Sequence, residues 1–235
     1  MNGGVIEIGW LDIAVTSLPM VLVVAVLFRW SVGGWTAIHA TARMVIQLVA
    51  IGYLLIFIFE ASELWIICAV LAVMLLVASW ICLRPIAASR ARLYPQALIS
   101  LAVGGGFTLF TVSVGVLHLE PWYAPRYLVP LAGMIFANAM NTVSVAAERF
   151  ESELDGGEAM PAARSVALQT GMIPVFNSMF AVGLVALPGM MTGQILSGVS
   201  PLIAVRYQIV VMCMLFAASG LSAALYLELA GRRPR

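Results

Sequence analysis

The chain has 235 residues, of which 63% are hydrophobic and 10% are charged, whereas an average soluble domain has about 45–50% and about 25%. A soluble core of this size cannot bury so much apolar surface, so the composition predicts an integral membrane protein. The net charge of +1 leaves no basic patch for nucleic acid. Because the chain contains no lysine, it is neither a self-contained P-loop ATPase nor a protein that holds retinal as a lysine Schiff base.

Runs of about 20 mainly apolar residues predict membrane-spanning helices, and seven such runs follow one another along the chain. They cover residues 10–28, 44–59, 64–83, 97–117, 127–147, 174–196 and 207–229. The first run has no basic residues before it and no small-residue cleavage site after it, so we expect it to be retained. Pro188 and Gly189 interrupt the sixth run, which is either continuous or broken. The pattern predicts an all-α membrane protein with a single domain over residues 1–235.

The arginines indicate how the seven runs cross the membrane, because basic residues are retained on the cytoplasmic side. With the N-terminus outside and the C-terminus in the cytoplasm, ten of the twelve arginines are cytoplasmic, and Arg126 and Arg206 are the two outside. Adding or removing one crossing would distribute the arginines over both sides of the membrane. The sequence therefore favours an odd number of crossings.

The connection over residues 148–171 is long, carries both charges and lies on the predicted cytoplasmic side. Its charges are typical of a solvated connector. Residues 161–168 are rich in helix formers, and Pro161 suits the first turn of a helix. We therefore also expect a short surface helix here, on which another subunit can dock.

Polar side chains inside the apolar runs are the best indications of function, because they are costly in hydrocarbon and usually face a cavity or another helix. In the fifth run, Met134, Asn138 and Asn141 are spaced to lie on one helix face. They can line a substrate pathway, hydrogen-bond to a neighbouring helix, or do both. In the second run, Arg43 can reach the cytoplasmic surface, whereas Gln47 lies deeper and is a further pathway candidate.

The sixth run combines a helix break with small and sulfur-bearing residues. Pro188 and Gly189 disrupt helical hydrogen bonds, which is tolerated in a membrane only where protein or water satisfies the freed groups. Gly189 and Gly193 form a GxxxG pattern, which is typical of close helix packing. We expect a hinge, a pore lining or both. Met190 and Met191 can face lipid or the pathway, and their thioethers suit soft metals better than ferric iron.

Carboxylates are absent from the middle of every run, and the two histidines, His39 and His118, lie near run ends. They form no metal-binding pair and no proton pathway, so no metal ligand is assigned. Carriers driven by protons or sodium usually need a central carboxylate or a substitute for it. Cys68, Cys82 and Cys213 lie in apolar runs without a CxxC pair, which indicates buried hydrophobic residues.

Three segments of the chain resemble the FetB-type membrane permeases, to which the plant aluminium-sensitivity half-transporters are also similar. The segments are ARMVIQL at residues 42–48, PLAGMIFANAMN at 130–141 with Glu148 and Arg149 after it, and VGLVALPGMMTG at 182–193. Residues 207–209 open the last run in the same way. The resemblance covers most of the chain.

The resemblance implies the membrane subunit of an ABC transporter in the inner cell membrane, which pairs with a second copy of itself. It implies no cofactor in this chain, soluble partner subunits that bind ATP and Mg²⁺, and export of a metal, chiefly iron. It also implies a coupling helix for the ATPase near residues 148–171. There Glu151, Leu154 and Gly157 match the family's pattern, and Arg149 is a further docking candidate.

Two other classes of protein share this topology. A stand-alone secondary carrier or channel would work without an ATPase, and a neighbouring gene for an ABC-type ATPase would favour the permease instead. A seven-helix sensor has the same count and orientation but is disfavoured by the short tail after residue 229. Because the plant relatives are associated with nucleotide-sugar transport, the residues leave both metal and nucleotide sugar open as substrates.

Overall fold

The computed structural model describes residues 9–60 and 63–232. Within these ranges the chain forms nine α-helices, which are α1 Trp10–Thr16, α2 Leu18–Arg29, α3 Gly34–Glu60, α4 Leu64–Cys82, α5 Arg90–Phe110, α6 Pro125–Asp155, α7 Met160–Ala181, α8 Gly189–Leu196 and α9 Pro201–Gly231. A short 3₁₀ turn precedes α5, and wider π-helical turns follow it. The contacts divide the chain after Glu60 into two compact units.

Six helical segments of the described residues are long and apolar enough to cross a membrane. They are Leu11–Arg29, Gly34–Phe59, Leu64–Cys82, Ala87–Val116, Pro125–Asp155 and Pro201–Gly231. The prediction of an all-helical, multi-pass membrane protein is therefore confirmed. Several helices extend beyond the apolar runs, because hydropathy marks the part that suits hydrocarbon and helical hydrogen bonding continues past it.

The first unit contains α1, α2 and α3. Pro19 lies in the first turn of α2, where its missing N–H is not needed. A tight turn with Gly33 at φ +86° leads into α3. A Cβ atom on Gly34 would lie 2.7 Å from the ring of Phe28, so only glycine permits this approach of the two helices. Most apolar side chains of the unit are exposed, which suits surroundings of hydrocarbon.

The second unit is built around α6, which packs against α4, α5, α7 and α9. Its buried face is mainly apolar and includes Leu128, Leu131, Ile135, Val143 and Phe150. Glycines allow close helix contacts around it, as is common in membrane bundles. A Cβ atom on Gly104 of α5 would lie 2.7 Å from the backbone nitrogen of Ser222 in α9, and one on Gly171 of α7 would lie 2.9 Å from the Thr142 carbonyl oxygen in α6.

Helices α7 and α9 run antiparallel. Arg164, near the beginning of α7, forms an ion pair of 3.0 Å with Glu228, near the end of α9. Further along, a Cβ atom on Gly220 would lie 3.7 Å from the terminal carbon of Met172. The end of α7 therefore lies toward the beginning of α9.

The sixth apolar run, over residues 174–196, is broken, which decides between the two alternatives that the sequence left open. Helix α7 ends at Ala181, residues 182–188 form a turn, and α8 begins at Gly189. Gly183 adopts φ +83°, which an L side chain rarely does. The turn satisfies part of its own backbone: Val185 N–H donates to the Ala181 carbonyl at 2.8 Å, and Gly183 N–H donates to the Ala186 carbonyl at 2.9 Å.

Residues 148–171, which the sequence indicates as a long connection, form a helical hairpin. Helix α6 continues to Asp155 and α7 begins at Met160, with Pro161 in its first turn as expected. The short surface helix predicted over residues 161–168 is therefore the first part of α7. Local helix propensity locates the start of such a helix but not its length, because packing against α6 and α9 stabilises the rest.

Cysteine burial differs along the chain. All three cysteines are free, and Cys82 is buried as predicted, whereas Cys68 and Cys213 are exposed. The prediction that all three are buried is wrong for these two, because an apolar run does not tell which helix face meets protein and which meets lipid.

Candidate substrate cavities

Three adjoining cavities lie in the second unit beside the break between α7 and α8. We name each after one lining residue. The Asn138 cavity has a volume of about 350 Å³ and lies between α6, α7, α8 and α9. The Arg126 cavity, of about 580 Å³, shares Met134 and Met190 with it. The Cys213 cavity, of about 360 Å³, shares Gln208 and Met212 with the Asn138 cavity. Shared walls make the three a candidate substrate pathway.

The broken helix supplies one wall of the Asn138 cavity. Ala181 and Val182 end α7 on this wall, and Pro188, Gly189 and Met190 begin α8 on it. The predicted hinge residues Pro188 and Gly189 are thus in the cavity wall. A wall made of two helix ends can change shape with less loss of hydrogen bonding than a continuous helix.

Asn138 is half-buried and lines the cavity that carries its name. Its side-chain nitrogen donates a hydrogen bond of 2.9 Å to the Met134 carbonyl, four residues earlier on the same helix. This bond stays within α6, so it does not join α6 to a neighbour. Met134 lines two of the cavities, and the structure brings it together with Asn138 as the spacing predicts.

Asn141 does not share this position. It is exposed and lines none of the three cavities, because the turn from residue 138 to 141 rotates its side chain away. Gln47 lies in the first unit, where it is exposed and lines a depression of α3 with Met44 and Leu48. Met191 lines the Cys213 cavity.

The predicted GxxxG packing has no counterpart within the described residues. A Cβ atom on Gly189 or Gly193 would meet no described atom within 4 Å. Both glycines are exposed, so their lack of side chains creates open space beside α8. Gly193 lines none of the three cavities.

Gln208 of α9 is a site residue that the sequence analysis missed. It is 6% exposed, its side-chain oxygen has no hydrogen-bond partner, and it lines both the Asn138 and Cys213 cavities. Gln194 of α8 has a similar unpartnered oxygen beside the Arg126 cavity. Buried polar groups are normally hydrogen-bonded, so both amides are candidate substrate contacts. The sequence feature that could have identified both residues is an amide side chain within an apolar run.

Charge is sparse around the three cavities. Among the residues that the structure describes, the charged side chain that lines them is Arg126. The described ranges also contain no group of three or more His, Cys, Asp and Glu residues that could hold a metal ion. Apart from Arg126 and two tyrosines in the Arg126 cavity, the cavity walls offer mainly amides, sulfur-bearing side chains and apolar surface.

The predicted docking residues surround the turn between α6 and α7. Arg149 is exposed and forms an ion pair with Glu153 one helical turn later. Glu151 is half-buried, and Leu154 is 9% exposed and packs in the core. Of these three side chains, that of Arg149 is the most exposed, at 44%.

Gly157 ends α6. It adopts φ +88°, and its N–H donates to the Leu154 carbonyl at 3.2 Å while the Glu158 N–H donates to the Glu153 carbonyl at 3.1 Å. These two bonds and the left-handed residue form the Schellman motif that commonly closes a helix. The structure thus gives Gly157 a capping role.

Long apolar helices define a multi-pass membrane protein, and in this one a broken helix lies beside open cavities lined by amides with unpaired oxygens. The comparisons with known proteins agree with this class. The family described as "Uncharacterised protein family (UPF0014)" matches residues 10–160 and 154–234, and the chain belongs to this family.

Relatives of the chain include bacterial and plant membrane proteins. It is 33% identical to a UPF0014 membrane protein of Synechocystis, over 94% of this chain and 92% of the relative. It is 35% identical to the protein ALUMINUM SENSITIVE 3 of Arabidopsis thaliana, over 79% and 72% of the two chains. It is 31% identical to the probable iron export permease protein FetB of Escherichia coli, over 82% and 75%. The predicted resemblance is confirmed. No solved structure matches the chain.

Proposed function

We propose that the chain is the membrane-spanning subunit of an ABC-type exporter in the inner cell membrane, and that it exports a metal ion, iron. The observation that carries this proposal is the row of cavities beside the α7–α8 break, two of which are lined by Gln208, whose side-chain oxygen has no hydrogen-bond partner. Polar groups without partners in a membrane bundle are typical of a substrate pathway. The similarity to a protein named as an iron export permease supports the cargo and the direction.

The energy comes from a separate subunit that binds ATP and Mg²⁺, and this chain needs no cofactor of its own. The complete lack of lysine excludes a P-loop here, and no described carboxylate lines the cavities to couple transport to protons. Two copies of the chain enclose the pathway, and two ATP-binding subunits bind at the cytoplasmic side.

The chain crosses the membrane seven times, with its N-terminus outside. The six long helical segments supply six crossings. Helices α7 and α8 together supply the remaining one, which precedes α9 in the chain. The antiparallel course of α7 and α9 supports this count: since Arg164 and Glu228 form an ion pair at one end, the chain has to travel to the other end before α9 begins. The arginine asymmetry supports the orientation.

Coupling runs through the hairpin of α6 and α7. Its tip is the surface around residues 155–159, with the exposed Arg149 beside it. When ATP draws the two ATPases together, they press on this tip and move α7 along α6 and α9. The movement reaches the break at residues 182–188, where the cavity wall changes shape. ATP thus shifts the population between two accessible states.

An anionic cargo such as a nucleotide sugar is the second candidate. Arg126 lines the largest of the three cavities together with Tyr127 and Tyr207. A guanidinium and aromatic side chains at one cavity are favourable for phosphate and base recognition. The same arrangement does not attract a free cation.

Reconstitution in proteoliposomes tests the proposal. We expect the purified chain alone to hydrolyse no ATP. The complex should hydrolyse ATP when the chain is combined with an ABC-type ATP-binding subunit from the same genome that has no other membrane subunit assigned to it. Iron supplied on the side of the membrane that carries the ATPase should then move to the other side in an ATP-dependent way, while a nucleotide sugar supplied on the same side stays. ATP hydrolysis by the chain alone would contradict the permease assignment. Transport driven by an ion gradient without the ATPase would instead establish a secondary carrier, and transport of the sugar would establish the second candidate.

A further inference from the structure

The Cys213 cavity is unusually rich in sulfur. Nine residues line it, and four of them carry sulfur, namely Met179, Met191, Met212 and Cys213. The three cysteines of the chain are free, so Cys213 is not part of a disulfide. Thioethers and thiols are soft ligands that favour soft metal ions.

The helix break is what gathers these side chains. Met179 lies in the last turn of α7 and Met191 in the first turn of α8. In one straight helix they would lie about 18 Å apart along the axis. The turn at residues 182–188 brings both to one cavity, where they meet Met212 from α9. Gln208 is one helical turn before Met212 and therefore lies on the same side of α9.

Gln208 provides a second and independent indication of a ligand. The residue is 6% exposed, its side-chain oxygen has no hydrogen-bond partner, and the residue lines this cavity and the adjoining Asn138 cavity. An unpartnered carbonyl oxygen in an apolar surrounding is costly unless a donor or a cation reaches it. A bound cation would satisfy it.

The charge of the walls restricts the cation. Of the described residues, none that lines the Cys213 cavity is acidic or basic. Neutral ligands in an apolar cavity stabilise a monovalent ion better than a divalent or trivalent one, because the desolvation cost rises steeply with charge. Hard ferric iron prefers charged oxygen ligands, whereas the side-chain oxygen among the described residues that line this cavity is the neutral amide oxygen of Gln208. Soft character and low charge together specify the class of Cu(I) and Ag(I).

We propose that the Cys213 cavity is a binding site for a soft monovalent cation, held by the thioethers of Met179, Met191 and Met212 and by the side-chain oxygen of Gln208. The adjoining Asn138 cavity adds two further thioethers, from Met134 and Met190, so more soft ligands are available beyond the site. This proposal concerns binding alone and does not rest on the ATP-driven transport proposed above.

Silver nitrate in chloride-free buffer is the probe, because Ag(I) is stable in air and binds the same ligands as Cu(I). The full chain is purified in detergent with Cys68→Ser, which removes the other exposed thiol, and titrated by calorimetry. We expect one saturable site. Replacing Met179, Met191 and Met212 together by leucine, which has a similar volume, should weaken binding at least about tenfold.

Matched variants separate the site from other methionines and amides. Met214→Leu changes a buried methionine of α9 that lines none of the cavities, and binding should stay unchanged. Gln208→Leu should weaken binding about tenfold, whereas Gln96→Leu, which also removes a buried unpartnered oxygen, should not. Each variant is melted by circular dichroism to verify that it is folded.

Three outcomes overturn the proposal: absence of saturable Ag(I) binding, binding that the triple variant retains in full, or Fe²⁺ binding in the same cavity as tightly as Ag(I). Because the assay contains no ATPase and no membrane, none of these outcomes tests ATP-dependent export, and Fe²⁺ binding in this cavity would support iron as the cargo. Conversely, loss of the exporter assignment in proteoliposomes would leave the measured Ag(I) site in place.

Discussion

Asn138 and Asn141 show how one turn of helix separates two chemically identical side chains. The spacing puts both on one broad face of α6, but Asn138 lines a cavity, whereas Asn141 is exposed and lines none of the three. The two asparagines are therefore a matched pair on one helix.

We predict that Asn138→Leu impairs transport and that Asn141→Leu does not. Leucine is similar in size and suits the membrane, so both variants should fold. Loss of the cavity amide should lower the transport rate about tenfold, which corresponds to about 1.4 kcal/mol in the barrier. The measurement is ATP-dependent transport in proteoliposomes beside thermal stability of the same samples. Equal losses in both variants, or lower stability with full transport, would remove Asn138 from the pathway.

Gly157 has two possible roles, docking of the ATPase and capping of α6, and the Schellman hydrogen bonds support the second. We predict that Gly157→Ala lowers the free energy of unfolding by about 1–2 kcal/mol, because an L side chain strains the left-handed conformation. Asparagine at this position should cost less. The measurement is denaturation by SDS in mixed micelles, followed by circular dichroism. If Gly157→Ala kept full stability but lost ATPase stimulation, docking would be the main role.

At the scale of helices, close packing of α5 against α9 depends on one glycine. A Cβ atom on Gly104 would meet the backbone of Ser222 at 2.7 Å, whereas one on Gly106 would meet no described atom within 4 Å. Backbone atoms cannot swing aside as a flexible side chain does, so the two helices would have to separate. A side chain is therefore excluded at position 104 and has room at position 106.

We predict that Gly104→Ala destabilises the second unit by about 1–3 kcal/mol through overpacking. Gly106→Ala should be neutral or stabilise by up to about 1 kcal/mol, because alanine has the higher helix propensity. Thermal unfolding in detergent, followed by tryptophan fluorescence, compares the two variants with the parent chain. Equal melting temperatures for all three would mean that α5 and α9 do not approach as closely as the structure has them.

The α7–α8 break is the element on which both proposals depend. Proline and glycine made the interruption visible in the sequence, since they act through the local backbone. The sequence left open whether the helix kinks or ends. Gly183, with its positive φ, and the turn hydrogen bonds around it end the helix.

At the scale of the molecule, the orientation in the membrane is open to a direct measurement. We predict that single cysteines at Glu63 and Glu120, both exposed, react with a membrane-impermeant maleimide in intact cells. A cysteine at Glu158, exposed at the tip of the α6–α7 hairpin, should react only after permeabilisation. The background carries serine in place of Cys68 and Cys213, the two exposed cysteines.

Protection at Glu63 and Glu120 together with labelling at Glu158 would invert the orientation. Labelling at all three positions in intact cells would contradict an odd number of crossings, since the hairpin and the two other positions would then share one side. In that case α6, which lies between Glu120 and Glu158, would not cross the membrane.

The sequence by itself determined the membrane class, the positions of most helices and the start of α7 at Pro161. Hydropathy, helix length and capping are local properties, so they can be read without knowing what packs against what. Tertiary structure alone decided that Gln208 of α9 lies with Asn138 of α6, that Asn141 lies outside their cavity and that Leu154 is buried. These facts depend on the rotation of each helix about its axis. Close contacts between distant residues, such as Gly104 with Ser222, fix that rotation.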